Sequence, residues 1–414
     1  MNKELEFIPV ILGGDITTYS LARSFHEEYG IKSIAISIKK NWLNSYSSII
    51  DNIIEPDMNN EETFVPVLVK LGKKYEGRKK LLLLACGDWY VRMIIENRAE
   101  LEKYYVVPYI QEELLNRLVL KDSFYNICDE TGVHYPKTFV YDVKEKTPLD
   151  LPFDFPVIAK PASSAEYHYA EFEGKKKVFK FDTMDQLKEM LSNLEKSSYG
   201  YKFLIQDFIP GDDNNMHILT CYVDRNHKVR FMAFGKTIVE DHGKNAIGNP
   251  VAIINQVNRD VMDQSIRFLE STGYTGFANF DIKYDSRDGS YNYFEINTRL
   301  GRSNYYITGS GFNAVKWIVD DLIYDREPEE EMVIADNENL YTVIPKNIVL
   351  SYAGSEEIRA QVRRLYDEGK VSNPIEYSGE KNIIHKLYAK YFMYKQGKRF
   401  EEFMRNEGVT KVRG

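Results

Sequence analysis

In the stretch YNYFEINTR, residues 291–299, Glu295, Asn297 and Arg299 stand two apart. On a strand that spacing sends all three to one face, because successive side chains alternate. Upstream lies TGFANFDIKYD, and Ser286-Arg287-Asp288-Gly289 between the two runs has turn chemistry, so a hairpin is expected whose other arm brings Asp281 close. Two carboxylates and an amide oxygen are a donor set for magnesium, which prefers oxygen ligands and commonly shares them with substrate phosphates. Arg299, next along the face, suits a bidentate grip on a phosphoryl oxygen or a developing acyl phosphate. An exposed strand edge with ordinary charges also fits FDIKYD taken alone, but fits the whole run from Asp281 to Arg302 less well.

Phosphates need cations as well. PVIAK places Lys160 at the end of an otherwise apolar strand, where an ammonium either snorkels to solvent or faces a bound anion. Lys121, near the start of a helix, is the second candidate. The small polar run ASSAEYHY after Lys160 is expected to be a mobile lid loop or plain surface. Lys236, Lys244 and Arg302 are candidates for a substrate carboxylate, with surface solvation as the alternative. His242 is a candidate base, or a solvated loop histidine.

The elements that must position these groups are legible in outline. FIPVILGGD reads as a buried parallel strand entering a Gly-rich turn, and ITTYSLARSFHEEYG as a helix stopped by Gly30. KSIAISI and KKLLLLACGD give further strands. Strands alternating with helices predict an open α/β sheet whose ligands bind beyond the carboxyl ends of its strands, a rim on which Gly13-Gly14-Asp15 and Gly87-Asp88 lie. Each Gly-Asp is either a ligand site or a tight strand-to-helix turn. The character changes near residue 116. A helix over NRLVLKDSFYNICDETG, ending around Gly132, is followed by strand, helix and strand, with a Pro210-Gly211 turn leading into a larger antiparallel region. The expected divisions are 1–115, 116–210, 211–330 and 331–414.

With 414 residues, 43% hydrophobic and 28% charged, the chain is expected to be globular with more than one packed unit. A formal charge of −8 argues against general nucleic-acid binding. Cys86, Cys128 and Cys221 lie far apart, which suggests a reducing compartment, no structural zinc and no catalytic thiolate. The first apolar run is too short for a secretory signal and no later run approaches a membrane span, so the expected location is cytoplasmic.

From Lys381 to Gly414 the acidic balance reverses, with nine Lys/Arg against three Asp/Glu, and Tyr, Phe and Met interleave with the basic residues. The pattern suits a helix, either docked on the protein's own acidic surface or making peripheral contact with an anionic membrane.

Taken in order, LVLKDSFY, PVIAKP, LIQDFIPGDD, FANFDIKYD and FEINTRLGR resemble the ATP-grasp superfamily over roughly residues 1 to 325. The phrases FIPVILGGD, LLLLACGD, IQDFIPGDD, TGFANFDIKYD and FEINTRLGRS are most similar to the D-aspartate ligase group of carboxylate–amine ligases. The resemblance implies an α/β chain with an ATP-grasp fold, two α+β lobes clasping ATP, preceded by an open parallel α/β pre-ATP-grasp domain. In those terms 1–115 is the preceding domain, 116–210 the small lobe, 211–330 the large lobe with the magnesium site, and 331–414 a C-terminal extension. It implies an ATP-dependent ligase working through an acyl phosphate, joining D-aspartate to the lysine side-chain amine of a peptidoglycan precursor. Carried over residue by residue, Lys121 and Lys160 contact phosphates, and Gln206, Asp207, Phe208 and Ile209 form the adenine hinge. Asp213 contacts the ribose, Asp281, Glu295 and Asn297 hold magnesium, two ions in all, and Arg299 steadies the acyl phosphate. The hinge carries Gln206-Asp207 where many relatives have Glu, and Asp213 stands where a longer Glu is common. Three other readings compete: a ligase for another acid or amine, a catalytically idle ATP-binding protein, and a dinucleotide-dependent oxidoreductase. The idle protein is at odds with the intact Asp281, Glu295 and Asn297, and the oxidoreductase lacks a full glycine fingerprint.

Overall fold

The computed structural model describes residues 7–243, 246 and 248–406, without the side chains of residues 164 and 165. Lys244 lies outside the described residues. The chain forms two compact units. The first comprises the chain up to Glu112, Asp212–Phe280, and the chain from Asn297 onward; the second comprises Glu113–Gly211 and Asp281–Ile296.

The first unit opens with alternating strands and helices: β1 (Phe7–Leu12), α1 (Ile16–Tyr29), β2 (Ser33–Ser37), α2 (Trp42–Ser45), β3 (Ile50–Ile54), α3 (Glu61–Tyr75), β4 (Lys80–Ala85), α4 (Asp88–Glu96), α5 (Arg98–Leu101) and β5 (Tyr105–Val106). The strands form one parallel sheet in the order β3-β2-β1-β4-β5. Helix α1 starts at Asp15, whose carboxylate accepts from Thr17 N at 3.0 Å, and stops at Gly30 in the left-handed conformation. Its first ten residues are all buried, because α1 packs on β1 and also against two later helices of this unit.

The second unit begins within α6 (Glu112–Val119) and continues through α7 (Lys121–Thr131), β6 (Thr138–Asp142), β7 (Val157–Pro161), α8 (Ser164–His168), β8 (Phe179–Phe181), α9 (Met184–Leu194) and β9 (Lys202–Asp207). Its sheet is antiparallel in the order β6-β9-β7-β8, over a core that includes Val157, Leu187, Phe203 and Ile205. Two expectations change here. The helix predicted across residues 116–132 is broken at Leu120, which sits in extended backbone with no side-chain cap. The loop expected at ASSAEYHY contains α8, because the Ser163 hydroxyl caps Glu166 N at 3.3 Å.

There follow β10 (Met216–Val223), β11 (Val229–Glu240), β12 (Pro250–Gln256), α10 (Arg259–Ser271), β13 (Gly276–Tyr284), β14 (Tyr291–Asn297), α11 (Tyr305–Gly309), α12 (Ala314–Leu322), β15 (Val333–Ile334), β16 (Leu340–Thr342), α13 (Lys346–Tyr352), α14 (Glu356–Asp367), β17 (Val371–Ser372) and α15 (Ile383–Asn406). The larger sheet runs β14-β13-β10-β11-β12-β16-β17, with β15 pairing β11. The predicted hairpin is β13–β14, closed by Gly289, whose N donates to Asp285 O at 2.8 Å at φ 79°.

Within the first unit the C-terminal segment is tied back onto the N-terminal part of the chain. Arg23 Nη1 donates to the carbonyls of Asn373, Pro374 and Glu376 at 2.6–3.0 Å, and its guanidinium lies between the rings of Tyr305 and Tyr377. Glu380 is buried and accepts from Ser48 N at 2.7 Å, Ser47 Oγ at 2.8 Å and Asn382 N at 3.0 Å. Among the described residues no helix is long and apolar enough to cross a membrane.

Candidate active site

In the second unit β7 carries Lys160 opposite Leu204 of β9, so its four-carbon stem lies over the sheet. Its Nζ is 3.4 Å from Tyr125 Oη and 5.4 Å from the centre of the Phe294 ring. Burial lowers the Lys160 ammonium to about 8; Glu295 opposes that shift and Lys177 adds to it. Lys121, the first residue of α7, places Nζ 3.5 Å from Glu295 Oε2. The protein packed around it would by desolvation raise the Glu295 carboxyl, although its side chain keeps 47% of its exposure. The ammonium groups of Lys121, Lys160 and Lys177, with a hydrogen bond shared with Asp281, hold it below the usual carboxylate range instead. Asp281 and Glu295 of the hairpin are thus brought together, and three ammonium groups act on Glu295.

Lys177 was not singled out in the sequence. The run Gly174-Lys175-Lys176-Lys177 was the available signal, and it reads equally well as a solvated turn.

The residues expected to form the hinge divide. Gln206 is buried and its Nε2 donates to Thr138 Oγ1 at 2.7 Å and Tyr125 Oη at 3.1 Å, which couples β9 to β6 and α7. Asp207 is held bidentately by Arg287, at 3.2 and 2.8 Å, and Arg287 also grips Asp285. Phe208 lies under Lys180 at 4.3 Å and near Lys283 at 5.6 Å, and Ile209 is buried. Asp207, Phe208 and Arg287 line a cavity of about 280 Å³ together with Lys137 and residues 152–156. Arg287 is a second residue missed in sequence, where it counted only as part of a turn.

The first unit holds the remaining candidates. Asn297 Nδ2 donates to Asn279 O at 3.5 Å, and Asn279 Oδ1 accepts from Thr220 Oγ1 at 2.9 Å. Gly301 is required nearby, since a Cβ there would come within 2.9 Å of Asn279 Oδ1. Arg299 clasps Asp88 through Nε at 2.7 Å and Nη2 at 3.0 Å, and Arg302 Nη1 donates to Asp15 Oδ2 at 2.6 Å. Both aspartates sit beyond the carboxyl ends of β1 and β4. That is where the parallel sheet's connections diverge and where ligands of such sheets bind. The Gly-Asp pairs are therefore rim anchors for two arginines as well as turns.

Lys236 lies on β11 opposite His217, which stacks on Phe234 and whose pKa burial lowers to about 4. Asp213 accepts from Glu240 N at 2.9 Å, and its Oδ2 lies 3.1 Å from His242 Nε2. His242 is more than a solvated loop residue: its ring stacks on Phe403 at 4.6 Å and on Tyr352 at 5.6 Å. The bond to Asp213 raises its pKa against the opposing effect of burial. With the folded pKa above the unfolded one, this contact contributes fully below about pH 6.5 and is lost as pH rises through the folded value. Asp213→Asn is expected to lower the His242 pKa in an NMR titration and to flatten that part of the stability–pH curve.

The cysteines are free, and burial raises each thiol, Cys86 to about 12, which leaves no reactive thiolate among them. Among the described residues no three His, Cys, Asp or Glu side chains gather as a metal cluster. What the second unit offers a cation is the Asp281–Glu295 pair, an all-oxygen donor set of the kind magnesium takes with substrate phosphates and water.

No protein-family model matches the chain. A D-aspartate ligase of Enterococcus faecium (strain Aus0004) is 37% identical over 410 residues, 96% of this chain and 97% of that one. The chain belongs to the D-aspartate ligase family. Solved structures at low identity share its fold. An L-amino acid ligase from Bacillus licheniformis superposes with a TM-score of 0.55 at 13% identity, covering 78% of this chain and 75% of that chain. The biotin carboxylase domain of a 2-oxoglutarate carboxylase from Hydrogenobacter thermophilus, solved with MgADP, ADP and bicarbonate, superposes at 0.55 and 14% identity, covering 80% and 72%. The ATP-grasp fold and the family expected from the sequence are both found, and the D-aspartate ligase family member is an ATP-dependent ligase of the carboxylate–amine class. The oxidoreductase and idle-protein readings are set aside.

Proposed function

We propose that the chain joins the β-carboxylate of D-aspartate to the lysine side-chain amine of a peptidoglycan precursor, converting ATP to ADP and phosphate. What carries this reading is the identity to a D-aspartate ligase along nearly the whole chain, supported by the Asp281–Glu295 pair among lysines. The cosubstrate is ATP and the metal is magnesium, two ions; such a reaction belongs in the cytoplasm, where ATP is.

A carboxylate is a poor electrophile, because its charge repels nucleophiles and its leaving group would be oxide. Attack of a carboxylate oxygen on the γ-phosphorus of ATP forms a P–O bond, releases ADP and gives an acyl phosphate. The amine nitrogen then attacks the acyl carbon, inorganic phosphate leaves, and the amine gives up its proton. The protein forms no covalent bond in either step; it positions reactants and neutralises charge. Asp281, Glu295 and Asn297 would hold the metal, which would supply positive charge against the phosphates. Lys121 and Lys160 take the phosphates. In the free protein those lysines and carboxylates compensate one another. Gln206, Asp207, Phe208 and Ile209 are assigned to the adenine and Asp213 to the ribose. Arg299 steadies the acyl phosphate, and Arg302 and Lys236 take the carboxylates of the acid. For Arg299 and Arg302 this means exchanging Asp88 and Asp15 for a substrate anion.

The test is phosphate release from ATP and magnesium, screened over L- and D-amino acids with and without a lysine-containing muramyl peptide. Release that needs both D-aspartate and the peptide is expected. Release driven by another acid, or by another amine in place of the peptide, would assign the chain to a different member of the carboxylate–amine class.

A further inference from the structure

One face of α15 is absorbed by the fold and the other is not. His385, Ala389, Gly397, Phe400 and Met404 are buried, and the buried Glu380 fixes the chain just before the helix, so the rotation of α15 is set. On the outward side Ile383, Leu387, Tyr391 and Tyr394 are 66%, 61%, 54% and 62% exposed. Their spacing of four, four and three makes one continuous ridge. Trp42 of α2 extends it: 48% exposed, its ring stacks on Tyr388 of α15 at 5.8 Å and on Tyr46 at 4.8 Å.

Lysines border this ridge. Lys386, Lys390, Lys395 and Lys398 are exposed on α15, Lys39 and Lys40 are exposed beside Trp42, and the first acidic residue of the helix, Glu401, lies beyond the last ridge tyrosine. In a chain of formal charge −8 this is a local reversal of sign. Cores of protein–protein interfaces are depleted in lysine, whereas aliphatic and aromatic side chains flanked by lysines match a lipid headgroup boundary, where stems lie in apolar surroundings and ammonium groups meet phosphates. We propose that the outward ridge of α15, together with Trp42, is an interfacial contact that seats the protein on an anionic lipid surface. The helix thus does both things its sequence allowed: one face docks on the protein and the other takes the membrane. The proposal rests on the first unit alone and is independent of the proposed reaction.

The full chain is to be sedimented with phosphatidylcholine vesicles and with vesicles containing phosphatidylglycerol. Binding is expected to the anionic vesicles only and to weaken as salt is raised. Leu387→Glu with Tyr391→Glu should abolish it. Lys386→Gln, Lys390→Gln and Lys395→Gln combined should weaken it on the order of a hundredfold, about fivefold per lysine. Trp42 emission should shift to the blue on binding, a shift absent in Trp42→Phe, which reports the same contact without altering α15. Absence of anionic-vesicle binding at low salt, or equal binding by the Leu387/Tyr391 variant with its thermal melt unchanged, would overturn the proposal. So would self-association through the ridge without vesicle binding.

Discussion

Glu295→Gln is expected to lower ATP-dependent phosphate release by at least 10²- to 10³-fold, the scale on which removal of one preorganised electrostatic group acts in an enzyme site. Gln keeps the shape of the side chain and one acceptor oxygen, but not the charge that a divalent cation requires. The fold should survive, because the backbone of β14 is fixed by its sheet and by Tyr293 N, which donates to His134 O at 2.8 Å. Two readouts separate chemistry from stability. The thermal midpoint should move little, while the magnesium dependence of turnover should shift to much higher concentration. The substitution also removes a group that raises the Lys160 pKa. A Glu295→Gln protein that turns over at the original rate would remove the metal assignment.

Lys160 gives the second large effect, with a sign that distinguishes it from an ordinary surface lysine. Its pKa of about 8 means that in the free enzyme the ammonium is lost as pH climbs past that value, far below the 10.5 of an unperturbed lysine. If the ammonium holds a phosphate, KM for ATP should rise by up to about tenfold per pH unit above that point. kcat should change less, since a bound phosphate restores the proton. Lys160→Arg should flatten the slope, because guanidinium stays charged. Lys160→Met should remove the slope and cost on the order of 10- to 100-fold in kcat/KM, the range for one charged hydrogen bond. The linkage runs the opposite way for stability. A folded pKa below the unfolded one means that the unfolded chain holds more protons between about pH 8 and 10.5, so this group makes stability rise with pH there. At neutral pH Lys160→Met should therefore melt higher than the parent while binding ATP worse. A variant that melts lower and keeps the pH slope would show that the ammonium is structural.

How much of this could be read before folding depends on how far apart the partners lie in the chain. Glu295 and Asn297 stand two apart on β14 and the hairpin sets Asp281 on the neighbouring strand, because hairpin register is set by a few adjacent residues, whereas Arg299, expected on the same face, lies beyond the end of that strand. Lys160 was visible as a charge ending an apolar strand. The helix break at Leu120 and the helix α8 were not, since each depends on whether one local cap or turn wins over its neighbours. Lys177 and Arg287 stood in charged or turn-like runs that usually face solvent. Only the packed chain shows that Arg287 closes on Asp207, 80 residues away.

The sequence alone determined the elements: a hairpin carrying oxygen-bearing side chains, lysines on a helix and at a strand end, and a parallel sheet with Gly-Asp turns at its rim. These are properties of residue type and short-range periodicity, which act within a few positions of the chain. The tertiary structure decided the pairings and the faces. Arg299 reaches Asp88 across 211 residues and Arg302 reaches Asp15 across 287. The face of α15 left to solvent follows from where Arg23 and Glu380 anchor the chain before it. Such contacts are fixed by the register of distant elements packed around a common core, a quantity that no local pattern encodes.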